Sequence, residues 1–175
     1  MTDAVKMDTQ SGDACKNYLS MLAQMNHVPS SFILSLGRGW LSQALPRDVP
    51  MGPQRQCYQN AGLLALERAE LTYVEGYACP VGGIPVNHAW CVDEKGCVID
   101  NTFVHPELAD YYGVPLSRGG LQALIAEAGH WGLFAEHMTP DLLLACLTDV
   151  QAGAWPADAT AAESVRQMLC VFTQD

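Results

Sequence analysis

The apolar positions of this chain change period several times, and the changes mark out its elements. After ten polar, unpatterned residues, Ser11-Gly12-Asp13 precedes Tyr18, Leu19, Met21, Leu22 and Met25 at helical spacing. That spacing predicts a first amphipathic helix capped by Ser11 or Asp13. Phe32, Ile33, Leu34 and Leu36 come next, then Gly37, Gly39, Trp40 and Leu41. Pro46, Pro50 and Pro53 break regular structure and read as a loop leading into a helix. From Cys57 to Glu70, the positions of Ala61, Leu64, Leu66 and Ala69, with Leu63 and Ala65 between them, predict a largely buried helix whose first turn carries Cys57.

The period then drops to two. Leu71 to Cys79 is rich in strand formers and runs into Pro80-Val81-Gly82-Gly83, a strand and its turn. His88 to Val92 and Cys97 to Asp100 flank Asp93-Glu94-Lys95-Gly96, which predicts an antiparallel hairpin with Gly96 free to take a positive φ. Asp110 to Pro115 reads as turn-forming, its Tyr111 and Tyr112 left either to edge a cleft or to pack against a sheet. Helices are expected again at roughly 119–129, at roughly 140–151 with Thr139 as cap and Pro140 first, and at about 159–172. The order implies one α+β domain over residues 1–175, with its core at about 50–103 between helical regions at about 11–45 and about 117–172.

Composition narrows the classes of function. At 175 residues, 49% hydrophobic and 16% charged, the chain can bury one good core. Nineteen acidic against nine basic residues give a net charge of −10, which disfavours nucleic acid and anionic membrane as partners. No apolar run approaches the ~18 residues of a membrane span, and the first residues lack the layout of a secretion signal. A cytoplasmic protein is therefore expected, its seven cysteines reduced thiols.

Three of the polar residues suit catalysis together. A helix N-terminus carries unpaired N–H groups and positive potential, which activate a cysteine and form part of an oxyanion hole, and Cys57 stands at one. A thiolate nucleophile needs an imidazole beside it, and the imidazole needs a third group to fix its tautomer. His88 and Asp100 come from the two hairpin strands and meet directly or diagonally if the turn sets the right register; a slip of one residue separates them. His88, Trp90 and Val92 share one face of their strand, so Trp90 is placed to shield the imidazole, while Ala89 and Cys91 take the other face. A second oxyanion donor has candidates in Gln54 and Gln56, just upstream of the thiol. Tyr58, Gln59 and Asn60 read as solvent-facing or capping residues of the first turn.

The segments Tyr73-Val74-Glu75-Gly76-Tyr77, His88-Ala89-Trp90 and Ile99-Asp100-Asn101-Thr102, following a helix-starting Cys57, resemble the core of the transglutaminase-like superfamily within the papain-like fold. The resemblance covers about residues 54–103. It implies a nucleophile-bearing helix packed on a small antiparallel sheet, with Cys57 as nucleophile, His88 as general base and Asp100 as its orienting group. It also implies a cysteine hydrolase or acyltransferase (peptidase, amidase, deamidase or transamidating enzyme) acting on a peptide or protein amide without a cofactor. The spacing is compact, leaving little room for a substrate-binding insertion. Trp90, Tyr111 and Tyr112 are the cleft candidates.

Two other readings stand beside this one. The same fold can serve as a catalytically inactive, protein-binding module, with the apolar C-terminal helices as its contact face. Cys79, His88, Cys91 and Cys97 can also be set out as zinc ligands, but their spacing matches no common zinc module and strand alternation turns His88 and Cys91 apart. His105 precedes Pro106 and reads as a turn residue; His27, His130 and His137 fall near helix ends, where a cation is favourable.

Overall fold

The structure, a computed structural model, describes residues 12–132. The helix Asp13–Gln24 (α1) leads to Val28–Leu36 (α2) and a short strand, Arg38–Trp40 (β1). After the proline-rich loop come the helix Cys57–Glu67 (α3) and the strands Thr72–Pro80 (β2), Val86–Val92 (β3) and Val98–Ile99 (β4). A single 3-10 turn, Pro106–Leu108, precedes the strand Ala109–Leu116 (β5), and the helix Arg118–Ala128 (α4) follows.

The five strands form one antiparallel sheet in the order β1-β5-β2-β3-β4. It curls until its two ends meet: Val98 N–H donates to the Leu41 carbonyl at 2.8 Å, and Leu41 N–H to the Gly96 carbonyl at 3.3 Å. Strand alternation then sorts the side chains into two buried layers. Tyr73, Tyr77, Ala89, Cys91, Tyr112 and Val114 face outward and pack with the helices. Trp40, Val74, Ala78, Trp90, Val92, Val98 and Tyr111 fill the interior of the curl, a cluster drawn almost wholly from strands.

The interior is shaped around the indole of Trp90. Gly76 and Gly113 stand opposite each other on β2 and β5. A Cβ on Gly113 would lie 2.8 Å from Trp90 Cη2, and one on Gly76 would lie 2.3 Å from the Tyr112 carbonyl oxygen. Both distances are below van der Waals contact, so only glycine permits the strands and the ring to share this space. The α+β class and the packing of the Cys57-bearing helix on an antiparallel sheet match the sequence expectation.

Several local expectations are corrected. Asp110 to Pro115 is not a turn but the middle of β5, a strand paired on both sides and buried along most of its length. Its glycine serves the contact with Trp90, and its proline is tolerated because β1 reaches only to Gly113, leaving an edge at Pro115. α1 is not capped by Asp13, which lies inside its first turn; the N-cap is Gly12, and Ser11 lies outside the described residues. The free N–H groups are instead satisfied from across the molecule: the Asp110 carboxylate accepts from Gly12 N at 2.5 Å and Cys15 N at 3.0 Å. α2 lies within the expected helical region, and His27 is near a helix end as expected: its N–H donates to the Leu22 carbonyl at the end of α1, while its ring, at the start of α2, accepts the Ser30 N–H at 3.3 Å. α3 ends at Glu67, three residues short of the expected Glu70. The last predicted helices, roughly 140–151 and about 159–172, and His137 lie outside the described residues. No helix among the described residues is long and apolar enough to cross a membrane.

Because Asp110 supplies the cap that α1 lacks locally, Asp110→Ala should lower the folding free energy by about 1–2 kcal/mol. Urea denaturation measures this directly; an unchanged midpoint would show that the cross-molecule cap contributes nothing.

Candidate active site

The hairpin turn decides the geometry of the site. Asp93 Oδ1 accepts the N–H groups of Lys95 and Cys97, each at 2.9 Å, while Gly96 takes φ +78° and donates to the Asp93 carbonyl. This turn pairs Val92 with Val98 and Cys91 with Ile99. One step further along the same register Asp100 faces Trp90, diagonal to His88 and on the same inner face. His88 Nε2 and Asp100 Oδ2 are 2.8 Å apart, with both side chains buried.

Asp100 is wholly enclosed, and hydrogen-bond partners surround it. The oxygen that meets His88 also accepts the Tyr111 hydroxyl at 2.9 Å, and the other accepts the N–H groups of Thr102 at 2.8 Å and Phe103 at 3.3 Å. Burial and the Asp100 charge push the Tyr111 hydroxyl pKa up, which keeps it a donor. The imidazole lies among aromatic rings, with Phe103 at 4.2 Å and Trp90 at 6.1 Å between centroids, both near parallel to it.

Burial works against a charged His88, yet the charge and hydrogen bond of Asp100, together with contacts to Cys57, raise its pKa from 6.5 to about 9. Burial also works against an ionised Asp100, but His88, the Thr102 N–H and the Tyr111 hydroxyl together hold its pKa below the usual carboxylate value. Cys57, the first residue of α3 and half-buried, is the other group that acts on the His88 ring. Thiol, imidazole and carboxylate therefore come together in the expected order, beside the open N–H groups of a helix.

The other candidates fare differently. Gln54 and Gln56 are exposed on the turn into α3; Gln56 is its N-cap but makes no side-chain capping bond. Between them Arg55 holds φ +64°, a left-handed conformation that bends the chain sharply into the helix. Trp90 and Tyr111 are fully buried and so cannot line a cleft; Trp90 lies beside the imidazole as expected, and Tyr111 braces Asp100. Tyr112 is on the opposite face of the sheet, its hydroxyl donating to the Leu34 carbonyl. His105 is exposed and meets Glu107 at 3.3 Å. Cys91 points at α3 and donates to the Ala61 carbonyl, away from His88, and no metal-holding group of three or more His, Cys, Asp or Glu occurs among the described residues.

Asn60 is the residue that sequence reasoning missed. It is buried, and its Nδ2 donates to the Pro53 carbonyl at 2.8 Å and to Thr102 Oγ1 at 2.9 Å. Gly52 N–H donates to the Asn101 carbonyl at 2.7 Å, and a Cβ on Gly52 would collide with the Asn60 amide at 2.4 Å. The loop before Cys57 and the loop after Asp100 are thus fastened through one side chain. The available signal was an asparagine three positions after Cys57 on the buried stripe of α3, where a polar amide needs partners.

Two consequences are measurable. Because His88 holds its proton more tightly folded than unfolded, the stability it lends is complete below pH 6.5 and is lost as pH rises towards about 9. Asp100 acts in the opposite sense, its contribution present above pH 3.8 and lost as pH falls. Folding free energy should decline between pH 6.5 and about 9, by up to about 3 kcal/mol. His88→Gln should remove that decline; a flat wild-type profile would show that the pair is not ionic. Asn60→Ala should cost about 2–3 kcal/mol, since it strips partners from a part-buried carbonyl and a buried hydroxyl; a loss below about 0.5 kcal/mol in urea denaturation would show the two loops to be held independently.

In comparisons with known proteins, no family model matches the chain, and neither a curated protein nor a solved structure matches it.

Proposed function

We propose that this chain is a cysteine-dependent hydrolase or acyltransferase acting on amide bonds, built on a papain-like, transglutaminase-like core. The observation that carries the reading is the buried His88–Asp100 hydrogen bond at 2.8 Å with Cys57 as the other partner of the same imidazole. A structural histidine has no need of a thiol at a helix start on one side and a fully saturated carboxylate on the other.

In the proposed reaction the Cys57 sulfur attacks an amide carbon, and the N–H groups of the first turn of α3 stabilise the oxyanion. The C–N bond breaks as His88 passes a proton to the departing amine, leaving an acyl group on Cys57 as a thioester. His88 then takes a proton from water, or from an amine, as its oxygen or nitrogen bonds to the acyl carbon; the C–S bond breaks, which restores the Cys57 thiolate and the protonated His88 and completes hydrolysis or deamidation with water, or transamidation with an amine. Asp100 stays ionised throughout, orienting the ring and stabilising its positive charge. A working thiol of this kind suits a reducing compartment such as the cytoplasm. The net charge of −10 favours neutral or basic peptide substrates over acidic ones.

An activated acyl donor tests the reading without knowledge of the natural substrate. p-Nitrophenyl acetate should acetylate Cys57, seen by peptide mass spectrometry with a burst of nitrophenolate. His88→Ala should slow the burst by about 100-fold or more, and Cys57→Ala should abolish it. Acetylation spread evenly over the cysteines, or unaffected by His88, would leave the fold as a protein-binding module.

A further inference from the structure

We propose that the cavity between the β2–β3 turn and the segment following Asp100 is a subsite for an apolar side chain of the peptide whose amide Cys57 attacks. The proposal rests on the amide-directed reading above and adds its substrate class.

The cavity has a volume of about 320 Å³ and is lined by Pro80, Val81, Phe103, Val104, His105 and Leu108. Phe103 belongs to two places at once: it is a wall of this cavity and the ring stacked on His88 at 4.2 Å. A side chain held against Phe103 is therefore within one residue's reach of the imidazole that handles the amine. The two sides of the cavity are fastened together, since Val81 N–H donates to the Leu108 carbonyl at 3.1 Å.

The chemistry of the lining selects the occupant. Val81, Val104 and Leu108 are 78%, 65% and 53% exposed, and Ile84 on the same turn is 74% exposed. Scattered singly, such residues carry no message; gathered around one cavity at the edge of a reaction centre, they form a surface that gains by being covered. The one titratable lining side chain, His105, is turned to Glu107 at 3.3 Å. A charged substrate group would lose its hydration there with little return, whereas an aliphatic or aromatic side chain would be stabilised by burial. A second cavity of about 740 Å³ shares Pro80, Val81 and Leu108 with the first. The lining of that second cavity includes Asp13, Glu107 and Asp110, so the apolar subsite is the smaller one.

The test compares two alkylating probes on the full chain. Rates of Cys57 modification by iodoacetamide and by N-(2-phenylethyl)iodoacetamide are read by peptide mass spectrometry, each divided by its rate with glutathione. The apolar probe should react about tenfold faster at Cys57 on this normalised scale. Leu108→Asp and, independently, Val104→Asp should bring the ratio to about 1. A ratio near 1 in the wild type, or one retained in both variants, overturns the subsite. If iodoacetamide still prefers Cys57 over the six other cysteines and needs His88 to do so, that result leaves the amide-directed reading standing. If Cys57 shows neither preference nor dependence on His88, the catalytic reading and the subsite fall together.

Discussion

The constraint on which this structure turns is the burial of one carboxylate. Asp100 has no exposed surface, and an ionised carboxylate placed in a protein interior without partners is destabilising by several kcal/mol. The chain answers with four donors drawn from separate parts of the sequence: the His88 ring, the Tyr111 hydroxyl and the backbone N–H groups of Thr102 and Phe103. Each donor fixes an element. The ring fixes the register of β3 against β4, the hydroxyl fixes β5 across the interior of the curl, and the backbone pair forces the chain to turn as soon as β4 ends. A group that must be satisfied this completely is also held in one orientation, and that is the property an imidazole partner requires.

The closed sheet makes such burial possible. With Leu41 bridging to Gly96 and Val98, the inner face is sealed by strand edges and needs no helix of its own, so all four described helices are free to cover the outer face or to present a terminus. The pairing of Gly76 with Gly113 opens the interior just enough for Trp90, which in turn lies beside His88. Packing and chemistry are therefore not separate layers here: the same indole that fills the core forms one side of the environment of the imidazole.

The sequence disclosed what depends on local pattern and hid what depends on distant contacts. α3, β2, β3, β4 and α4 were legible because their period, their flanking glycines and prolines, and the Asp93–Gly96 turn are all encoded within a few residues. The convergence of Cys57, His88 and Asp100 was legible because each sits at a recognisable position, at a helix start, within a strand or just past a strand end. β5 was not, because Asp, Gly and Pro carry turn signals that hold only when nothing outside the segment claims them. In this fold Asp110 caps α1, Gly113 yields to Trp90, and Pro115 lies where β1 has stopped. The helix α1 itself was legible, but its cap was not, for the donor and acceptor lie almost a hundred residues apart in sequence.

In the chemistry we propose, residues in direct contact with the reacting atoms are only part of the site, and Asn60 shows why. Cys57 belongs to α3, and the His88–Asp100 pair to the β3–β4 hairpin. A displacement of about 1 Å between such groups is enough to cost two orders of magnitude in rate. Hydrophobic packing of α3 on the outer layer sets its distance from the sheet but resists sliding along its own axis only weakly, because apolar contact is non-directional. Two hydrogen bonds from a single buried amide, one to the loop that precedes the thiol and one to Thr102 just beyond the carboxylate, supply the missing directional restraint. The close fit of Gly52 against that amide removes the space into which the loop could otherwise shift. The alignment of sulfur and imidazole thus rests on a residue that touches neither.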